Sequence, residues 1–296
     1  LFMSENTPIE DEKLISIIVP TFNRANSIIK TLKSISLQSY NYFECLVVDD
    51  YSTDNTKEII LNYSKKDERI KYLTNERRKG AQGARNTGLL NAKGDWIVFF
   101  DSDDYMQHNF LEFMIKKVIE NNVDVCTCYT RIINKDSNIS YSKFVCDCFT
   151  HEKLFSGECY INFDASIIKK EKLLEIGLLD EKCPSHQEKD THFRLSKIST
   201  YTTVEEFLVD YYCGSEDSIS YNKKKEIEGH IYLLKKYEWY WRYNFYRGFL
   251  KSAKYTLKLI KESSVPLPKS LKWKLFIIVP ELPIISIKNK FKQKYG

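Results

Sequence analysis

The sequence predicts an α/β fold in which a mostly parallel, doubly wound sheet is flanked by helices. Four short apolar runs in the first hundred residues are rich in Val, Ile and Phe and lack polar alternation, which is typical of strands buried on both faces. Between these runs the apolar positions recur at helical spacing. An alternation of strands and helices implies crossover connections and therefore a parallel sheet with helices on its faces.

The individual elements follow in order along the chain. Strands are predicted at 15–20, 45–48, 70–73, 96–100 and 123–129, and helices at 26–37, 55–65, 84–92 and 109–120, with a loop at 80–83. The cluster Ser52-Thr53-Asp54 is a good N-cap for the second helix. Beyond residue 130 we expect short strands and loops to 165, strand then helix at 166–179, a helix through Arg194, a strand at 200–213 and helices after 220.

Charge is unevenly distributed over the 296 residues, whose formal net charge is +5. Residues 221–296 contain 18 Lys and Arg but only 5 Asp and Glu, so the basic character belongs to the last quarter of the chain and suggests an anionic partner there. The eight Cys lack paired spacing, which indicates neither a zinc site nor a disulfide framework and suggests a reducing cytoplasm. No apolar run is long enough for a membrane span, and no signal-peptide pattern is recognised.

The most informative segment is the acidic turn after the fourth predicted strand, Asp101-Ser102-Asp103-Asp104. Three carboxylates this close repel one another unless a cation neutralises them. Mg²⁺ and Mn²⁺ prefer carboxylate and phosphate oxygens, so the turn could hold a metal-bound phosphate. The alternative is a solvated turn in which Asp103 or Asp104 caps the next helix.

Polar clusters also follow the other parallel strands, and in a doubly wound sheet these carboxyl ends line one crevice. The clusters are Thr21-Phe22-Asn23-Arg24, Asp49-Asp50 and Gly83-Ala84-Arg85-Asn86. Carboxylate, aromatic and guanidinium groups together suit a nucleotide. The chain has neither a Gly-x-Gly-x-x-Gly nor a Gly-x-x-x-x-Gly-Lys-Ser/Thr motif, which argues against a dinucleotide-binding dehydrogenase and a P-loop enzyme.

These motifs, in this order, resemble those of family 2 glycosyltransferases, in particular bacterial enzymes of cell-surface polysaccharide synthesis. The matching segments are Ile17-Ile18-Val19-Pro20-Thr21-Phe22-Asn23-Arg24, Val47-Val48-Asp49-Asp50-Tyr51-Ser52-Thr53-Asp54, Ala84-Arg85-Asn86-Thr87-Gly88, Gly94-Asp95 and Phe100-Asp101-Ser102-Asp103-Asp104. The resemblance is strong over 14–110 and weaker to about 215. It implies the GT-A fold, a nucleotide-sugar donor, a divalent metal (Mn²⁺ or Mg²⁺) and inversion at the anomeric carbon.

The same resemblance implies roles for individual residues. It places a group of side chains around the donor: Pro20, Phe22, Asn23, Asp50, Arg85 and Asp101. Asp103 is implied as the metal ligand, with Asp101 as its partner. Asp49 and Asp104 fit a capping or supporting role at least as well.

A further carboxylate is needed to take the proton from the acceptor hydroxyl. Family members carry Glu-Asp or Gln-Asp ahead of a helix, with an Arg six positions after the Asp. Arg194 lies six positions after Glu188, so this register makes Glu188 the base and leaves Asp190 as the second choice. The alternative is that these acids only stabilise a helix start. His186 and His192 flank them. One interpretation is contact with a ligand or with the acceptor, and the favoured one is an ordinary exposed or helix-start histidine.

The resemblance and the change in composition divide the chain into two regions. We expect a GT-A catalytic domain at 14–215, with a donor half at about 14–105 and an acceptor half at about 106–215. A helical, basic and aromatic region follows at 220–296. Its aromatic residues suit core packing of a helical hairpin.

Near the C-terminus an apolar patch at 273–287 is too interrupted to span a bilayer. Lysines flank it, which suits an anionic membrane surface. We therefore expect a cytoplasmic protein that associates peripherally with the inner face of the membrane, and we expect no nucleic-acid partner.

Together these observations predict an inverting, metal-dependent glycosyltransferase of the hexosyltransferase type. It would move one sugar from a nucleotide-diphosphate sugar, with UDP the expected carrier, to a saccharide or lipid-linked acceptor in surface polysaccharide synthesis. A sugar nucleotidyltransferase is one alternative, but it would need a Gly-rich basic loop after the first strand. A non-catalytic, transferase-like scaffold is another, and the intact acidic turn argues against it.

Overall fold

The computed structural model describes residues 13–134, 139–142, 149–212, 223–262 and 278–279. The chain forms two compact units that interleave along the sequence. Unit 1 comprises residues 1–147, 161–179 and 198–212, and unit 2 comprises residues 148–160, 180–197 and 213–296.

Over the described residues, unit 1 is built on a nine-stranded sheet with helices between its strands. The strands are β1 (Ile15–Thr21), β2 (Phe43–Asp49), β3 (Ile70–Thr74), β4 (Trp96–Phe99), β5 (Tyr105–Met106), β6 (Val125–Ile133), β7 (Ile139–Ser142), β8 (Ser166–Lys169) and β9 (Tyr201–Tyr212). The helices are α1 (Ile28–Ser36), α2 (Thr56–Ser64), α3 (Ala81–Asn91), α4 (Phe110–Asn121) and α6 (Lys170–Glu175), while α5 (His151–Ser156) belongs to unit 2. The strand order is β3-β2-β1-β4-β8-β6-β9-β5, and β7 pairs with β6.

The first four strands in this order are parallel. Strands β1 and β2 are buried throughout, as expected for continuous apolar strands covered on both faces. The register aligns Thr21 of β1 with Asp49 of β2, so the polar residues that follow both strands begin at the same edge. The predicted α/β fold is confirmed, and this half of the sheet is the part that positions the acidic turn.

The other half of the sheet is mixed rather than parallel. Strand β8 runs antiparallel to both β4 and β6, and β5 runs antiparallel to β9, whereas β6 and β9 are parallel. The expectation of a mostly parallel sheet therefore describes the first four strands best. Apolar patterning could not show this, because a buried strand looks the same in either direction.

Two local predictions differ from the structure. Helix α3 begins at Ala81, so Gly83 lies inside the helix and not in the predicted loop at 80–83. A Cβ atom on Gly83 would clash with the carbonyl oxygen of Arg78, which explains why glycine occupies a helical position here. Helix α5 (His151–Ser156) lies where only strands and loops were expected, and the Thr150 side chain caps it by accepting from the Lys153 N–H.

Unit 2 consists of helices packed around aromatic side chains. Its helices are α5, α7 (Gln187–Leu195), α8 (Lys223–Lys236), α9 (Glu238–Asn244) and α10 (Tyr246–Glu262). Phe155 stacks on Phe193 with ring centroids 3.8 Å apart, and Trp241 packs edge-on against both rings. The Trp241 indole N–H donates to the Phe155 carbonyl at 2.8 Å, so the buried ring keeps a polar partner. Core packing of the aromatic region is confirmed for these residues, whereas Trp239 is exposed.

The predicted membrane-facing patch at 273–287 and its flanking lysines lie outside the described residues, apart from residues 278–279. Across the residues that the structure describes, the helices are too short or too polar to cross a bilayer.

Cys45, Cys126, Cys128 and Cys183 are buried free thiols. Cys159 is disulfide-bonded, which the sequence did not predict.

Candidate active site

The loops after β1 and β2 are tied together by hydrogen bonds from Asn23. Its backbone N–H donates to Ser52 Oγ at 2.9 Å, and its side-chain Oδ1 accepts from the Thr53 N–H at 2.8 Å. Asn23 has a left-handed backbone with φ of 52°, which Asn tolerates better than most residues. Pro20 is buried at the end of β1 and Phe22 is exposed beside it. The structure thus places these three predicted donor residues on one ordered corner.

The two carboxylates that follow β2 have different partners. Asp49 accepts from the Ser52 N–H and hydroxyl and from the Tyr72 hydroxyl, which is a turn-capping role. Asp50 is buried, and its two oxygens accept from Asn75 Nδ2 at 2.6 Å and from the Gly80 N–H at 2.8 Å. Asp50 therefore fixes the loop that leads into α3. Each carboxylate oxygen has a second lone pair, so the group retains capacity to accept from a ligand.

Helix α3 brings an arginine to the acidic turn. Arg85 donates through Nη2 to Asp101 at 2.6 Å and through Nη1 to Gln82 at 2.9 Å. Its guanidinium also lies over the Phe163 ring, 5.0 Å from the centroid. From the β1 side, Arg24 approaches Asp103 at 3.6 Å. The turn is thus flanked by two cations, each aimed at a different carboxylate.

Three carboxylates converge at this turn, and one of them was missed by the sequence analysis. Ligand oxygens of Asp101, Asp104 and Asp164 lie within 4.8 Å of one another. Asp164 accepts from the Asp101 N–H at 2.6 Å, and Asp104 accepts from the Tyr212 N–H at 2.9 Å. Asp164 stands alone in the chain, without a neighbouring motif, and only the tertiary fold brings it to the turn. Asp103, the predicted metal ligand, lies beside this acidic cluster (Asp101, Asp104 and Asp164) rather than within it.

Burial makes the acidic cluster electrostatically costly. It raises the pKa of Asp104 and of Asp164 well above the usual range, and the neighbouring carboxylates raise both further. Burial and the Asp101 charge also raise the pKa of Asp103, against a smaller opposing effect of Arg24. Among the described residues, Oδ2 of Asp104 has no hydrogen-bond partner. An all-oxygen donor set with an unsatisfied buried carboxylate oxygen fits Mg²⁺ or Mn²⁺.

The predicted base residues lie in unit 2, at the start of α7. Asp190 is only 1 % exposed, and it accepts from Arg194 at 2.9 Å, Lys236 at 2.6 Å and the Tyr237 hydroxyl at 2.8 Å. Glu188 is half-buried and accepts a short hydrogen bond from the Tyr160 hydroxyl. The two carboxylates therefore differ in their surroundings: Asp190 is enclosed by cations, and Glu188 is partly open to solvent.

A parallel half-sheet with an acidic turn after β4 is the arrangement expected of the GT-A fold, and comparison with known proteins identifies the family. The model of "Glycosyl transferase family 2" matches residues 16–173. The chain belongs to this family.

Two curated relatives carry specific names. The chain is 36 % identical over 222 residues, covering 74 % of itself and 84 % of the relative, to "UDP-Glc:alpha-D-GlcNAc-diphosphoundecaprenol beta-1,3-glucosyltransferase WfgD" of Escherichia coli. It is also 36 % identical over 162 residues to "GalNAc(5)-diNAcBac-PP-undecaprenol beta-1,3-glucosyltransferase" of Campylobacter jejuni. That second match covers 54 % of the chain and 47 % of the relative, so the chain spans less than half of that protein.

Solved structures share the fold at low sequence identity. TarS residues 1–349 of S. aureus in complex with UDP-GlcNAc superimposes with a TM-score of 0.63 at 18 % identity, covering 96 % of this chain and 76 % of that one. The mannosyltransferase PcManGT of Pyrobaculum calidifontis, in complex with GDP-Man and Mn²⁺, gives a TM-score of 0.60 at 16 % identity, covering 87 % and 78 %. The chain is thus a family 2 glycosyltransferase with the GT-A fold.

Proposed function

We propose that this protein is an inverting, metal-dependent hexosyltransferase. It transfers one sugar from a UDP-sugar to a saccharide acceptor carried on a lipid, in the synthesis of a surface polysaccharide. The observation that carries the proposal is the acidic cluster after β4, with Asp103 beside it. The names of both curated relatives, which act on undecaprenol-linked sugars, support the acceptor class.

We assign donor binding to the loops that follow the parallel strands. Pro20, Phe22 and Asn23 form the corner that would lie beside the base, and the remaining lone pairs of Asp50 would accept from a base N–H. Arg85 is already oriented by Gln82 and Asp101, so it is positioned to pair with the diphosphate or with the base. We retain residues 14–215 as the catalytic region and 220–296 as its C-terminal extension.

Asp103 and Asp101 are the metal ligands that we propose, with Asp104 and Asp164 close enough to contribute. A divalent ion held there would neutralise charge on the leaving diphosphate. Arg85 would hold the donor phosphates close to the turn. The Mn²⁺ in the mannosyltransferase complex supports the choice of metal.

Glu188 is the base that we favour over Asp190. Asp190 is buried and enclosed by Arg194, Lys236 and Tyr237, so this carboxylate already has three partners in a structural network. Glu188 is held by one hydroxyl and is partly exposed. In the reaction Glu188 accepts the proton of the acceptor hydroxyl. The acceptor oxygen bonds to the anomeric carbon, and the bond to the diphosphate oxygen breaks with inversion.

Donor binding is tested by thermal unfolding with a panel of nucleotide sugars, each with and without Mn²⁺. We expect one UDP-sugar to raise the unfolding midpoint only when Mn²⁺ is present, because a ligand that binds the folded state stabilises it. Asp103→Asn should remove the Mn²⁺-dependent rise, whereas Asp95→Asn, at an exposed aspartate before β4, should keep it. A full rise in Asp103→Asn would refute the metal assignment.

The base is tested by transfer assays on Glu188→Gln, which we expect to lower kcat by about 10²–10⁴-fold while donor binding is retained. Glu205→Gln makes the same chemical change at an exposed site and serves as control. Loss of transfer in a folded Asp190→Asn variant, with full activity in Glu188→Gln, would assign the base to Asp190. Pyrophosphate release from a nucleoside triphosphate and a sugar phosphate would indicate the nucleotidyltransferase, and donor binding without turnover would indicate a scaffold.

Peripheral membrane binding is proposed for the lysine-rich C-terminus, which lies outside the described residues. The full chain should cosediment with vesicles that contain anionic lipid and less with neutral ones. Replacing Lys288, Lys290, Lys292 and Lys294 by Gln should reduce that binding. Equal binding by the substituted chain would show that these lysines do not contact the lipid.

A further inference from the structure

Two histidines and a glutamate from distant parts of the sequence meet in unit 2. His186 precedes helix α7, while Glu226 and His230 lie one turn apart on helix α8. One potential ligand atom from each lies within 4.8 Å of the other two, and the two imidazole centroids are 4.1 Å apart. From the sequence alone, an ordinary helix-start histidine is the favoured interpretation of His186, and His230 carries no local signal.

The imidazole nitrogens of this cluster are buried without hydrogen bonds. His230 is only 7 % exposed, and within the described part of the chain neither of its ring nitrogens has a partner. The same holds for Nε2 of His186. Burying a polar nitrogen without a hydrogen-bond partner is unfavourable. Because three such nitrogens lie together here, a bound ligand that accepted their lone pairs or donated to them would remove this cost.

The backbone holds these side chains together in advance. Ser185 Oγ donates to the Lys225 carbonyl at 2.9 Å, which ties the segment before α7 to the first turns of α8. A Cβ atom on Gly229 would clash with the Ser185 side chain and lie 2.8 Å from its carbonyl oxygen. Only glycine permits this close approach, and the approach places His186 against His230.

The chemical state of the three groups suits metal coordination. Burial lowers the pKa of both His186 and His230. Lys223 contacts Oε2 of Glu226 at 2.9 Å. Neutral imidazole and carboxylate are the forms in which these residues ligate metals.

We propose that His186, Glu226 and His230 bind a transition-metal ion, with Zn²⁺ the best match. Two nitrogens and one carboxylate oxygen are a known zinc donor set, and imidazole favours Zn²⁺ over Mg²⁺ or Mn²⁺. With ligand bonds of about 2.1 Å, the ligand atoms of a tetrahedral zinc ion lie about 3.4 Å apart. Because the three ligand atoms lie within 4.8 Å of one another, the cluster needs to contract by about 1.4 Å at most. The site is separate from the acidic cluster of unit 1, whose donors are all oxygens.

The ion would join the start of α7 to α8. His186 stands two residues before Glu188, so the metal would fix the backbone from which the proposed base projects. It is a structural ion in this assignment and takes no part in the transfer of the sugar.

The test measures Zn²⁺ binding to the metal-stripped full-length chain by calorimetry, with excess Mg²⁺ present to occupy the oxygen site. We expect one equivalent to bind and to raise the thermal unfolding midpoint. His230→Gln and His186→Gln should each weaken Zn²⁺ binding by at least about 100-fold. Loss of a residue that only supports a ligand costs up to about 100-fold in metal affinity, and loss of a ligand itself should cost more. His108→Gln, at a histidine of unit 1, should bind like the unchanged protein.

Absence of stoichiometric Zn²⁺ binding would overturn the proposal, as would unaltered binding in folded His186→Gln and His230→Gln variants. If either variant fails to fold, zinc X-ray absorption on the unchanged protein decides the matter. Two imidazole ligands are expected in that spectrum, and none or one would refute the site.

Discussion

Two groups of buried carboxylates in this molecule have opposite surroundings. In unit 2, Asp190 is enclosed by Arg194, Lys236 and Tyr237. In unit 1, Asp104 and Asp164 face each other and Asp101, and burial raises the pKa of both. The first arrangement stabilises the fold, because removing one partner would strand buried charge. In the second arrangement the buried carboxylates repel one another unless a cation is bound between them, and such an arrangement is typical of a functional site.

The largest effect on stability is expected from Asp190→Ala. It removes the buried carboxylate that Arg194 and Lys236 contact, and breaking a buried ion pair from one side costs about 3 kcal/mol or more. Urea unfolding should show this loss in the free energy of unfolding. Glu205→Ala, at an exposed position, should stay within about 0.5 kcal/mol of the unchanged protein. A loss as small as that in Asp190→Ala would contradict a structural role.

A second prediction concerns pH and Asp180, which shares Lys236 with Asp190. Burial alone would raise the pKa of Asp180, but the Lys236 ammonium, the Tyr232 hydroxyl and the Lys182 N–H outweigh it and lower the pKa to about 2. A lowered folded-state pKa gives stability that is present above the unfolded value of about 3.9 and is lost as the pH falls towards 2.

Asp180→Asn should therefore cost about 2 kcal/mol at pH 7, and the difference from the unchanged protein should shrink between about pH 4 and pH 2. Chemical denaturation at a series of pH values measures this. A difference that does not depend on pH would show that the carboxylate charge is not the source of the stability.

In the acidic cluster the same kind of substitution should act in the opposite direction. Asp104→Asn keeps an oxygen that can accept from the Tyr212 N–H and removes like-charge repulsion, so we expect a gain of about 1 kcal/mol in the metal-free protein. Unfolding in the presence of a chelator measures this change in the free energy of unfolding. Asp190→Asn makes the same chemical change in the paired network and should lower the free energy of unfolding. Destabilisation by Asp104→Asn without metal would contradict an uncompensated cluster.

The smallest effect is expected from Arg24→Gln. Arg24 reaches Asp103 at 3.6 Å and both side chains are partly exposed, so the pair contributes about 0.5 kcal/mol or less. The same substitution at Arg194, whose partner Asp190 is buried, should cost clearly more in the same urea experiment. Equal costs at the two arginines would remove the distinction between the two groups of carboxylates.

The sequence predicted the first half of unit 1 well, because its strands are continuous apolar runs and its helices have a clear period. It could not predict that β8 lies antiparallel beside β4, since direction is set by the path of the chain and not by burial. It missed α5, whose six residues are too short to show helical periodicity.

For the site, local motifs identified Asp50, Arg85, Asp101 and Asp103 as candidates, because each stands at the end of a strand or the start of a helix. Asp164 and His230 could not be found in this way. Their partners lie far away in sequence, and an isolated Asp or His carries no local signal.

The sequence alone determined the α/β class, the family resemblance and the edge of the sheet at which the acidic turn lies, because these follow from strand patterning and from adjacent residues. Only the tertiary structure decided which carboxylates are paired and which are not. That distinction depends on the cations and donors that distant segments bring to each side chain, and it separates Asp190, held in a structural network, from the acidic cluster that awaits a cation.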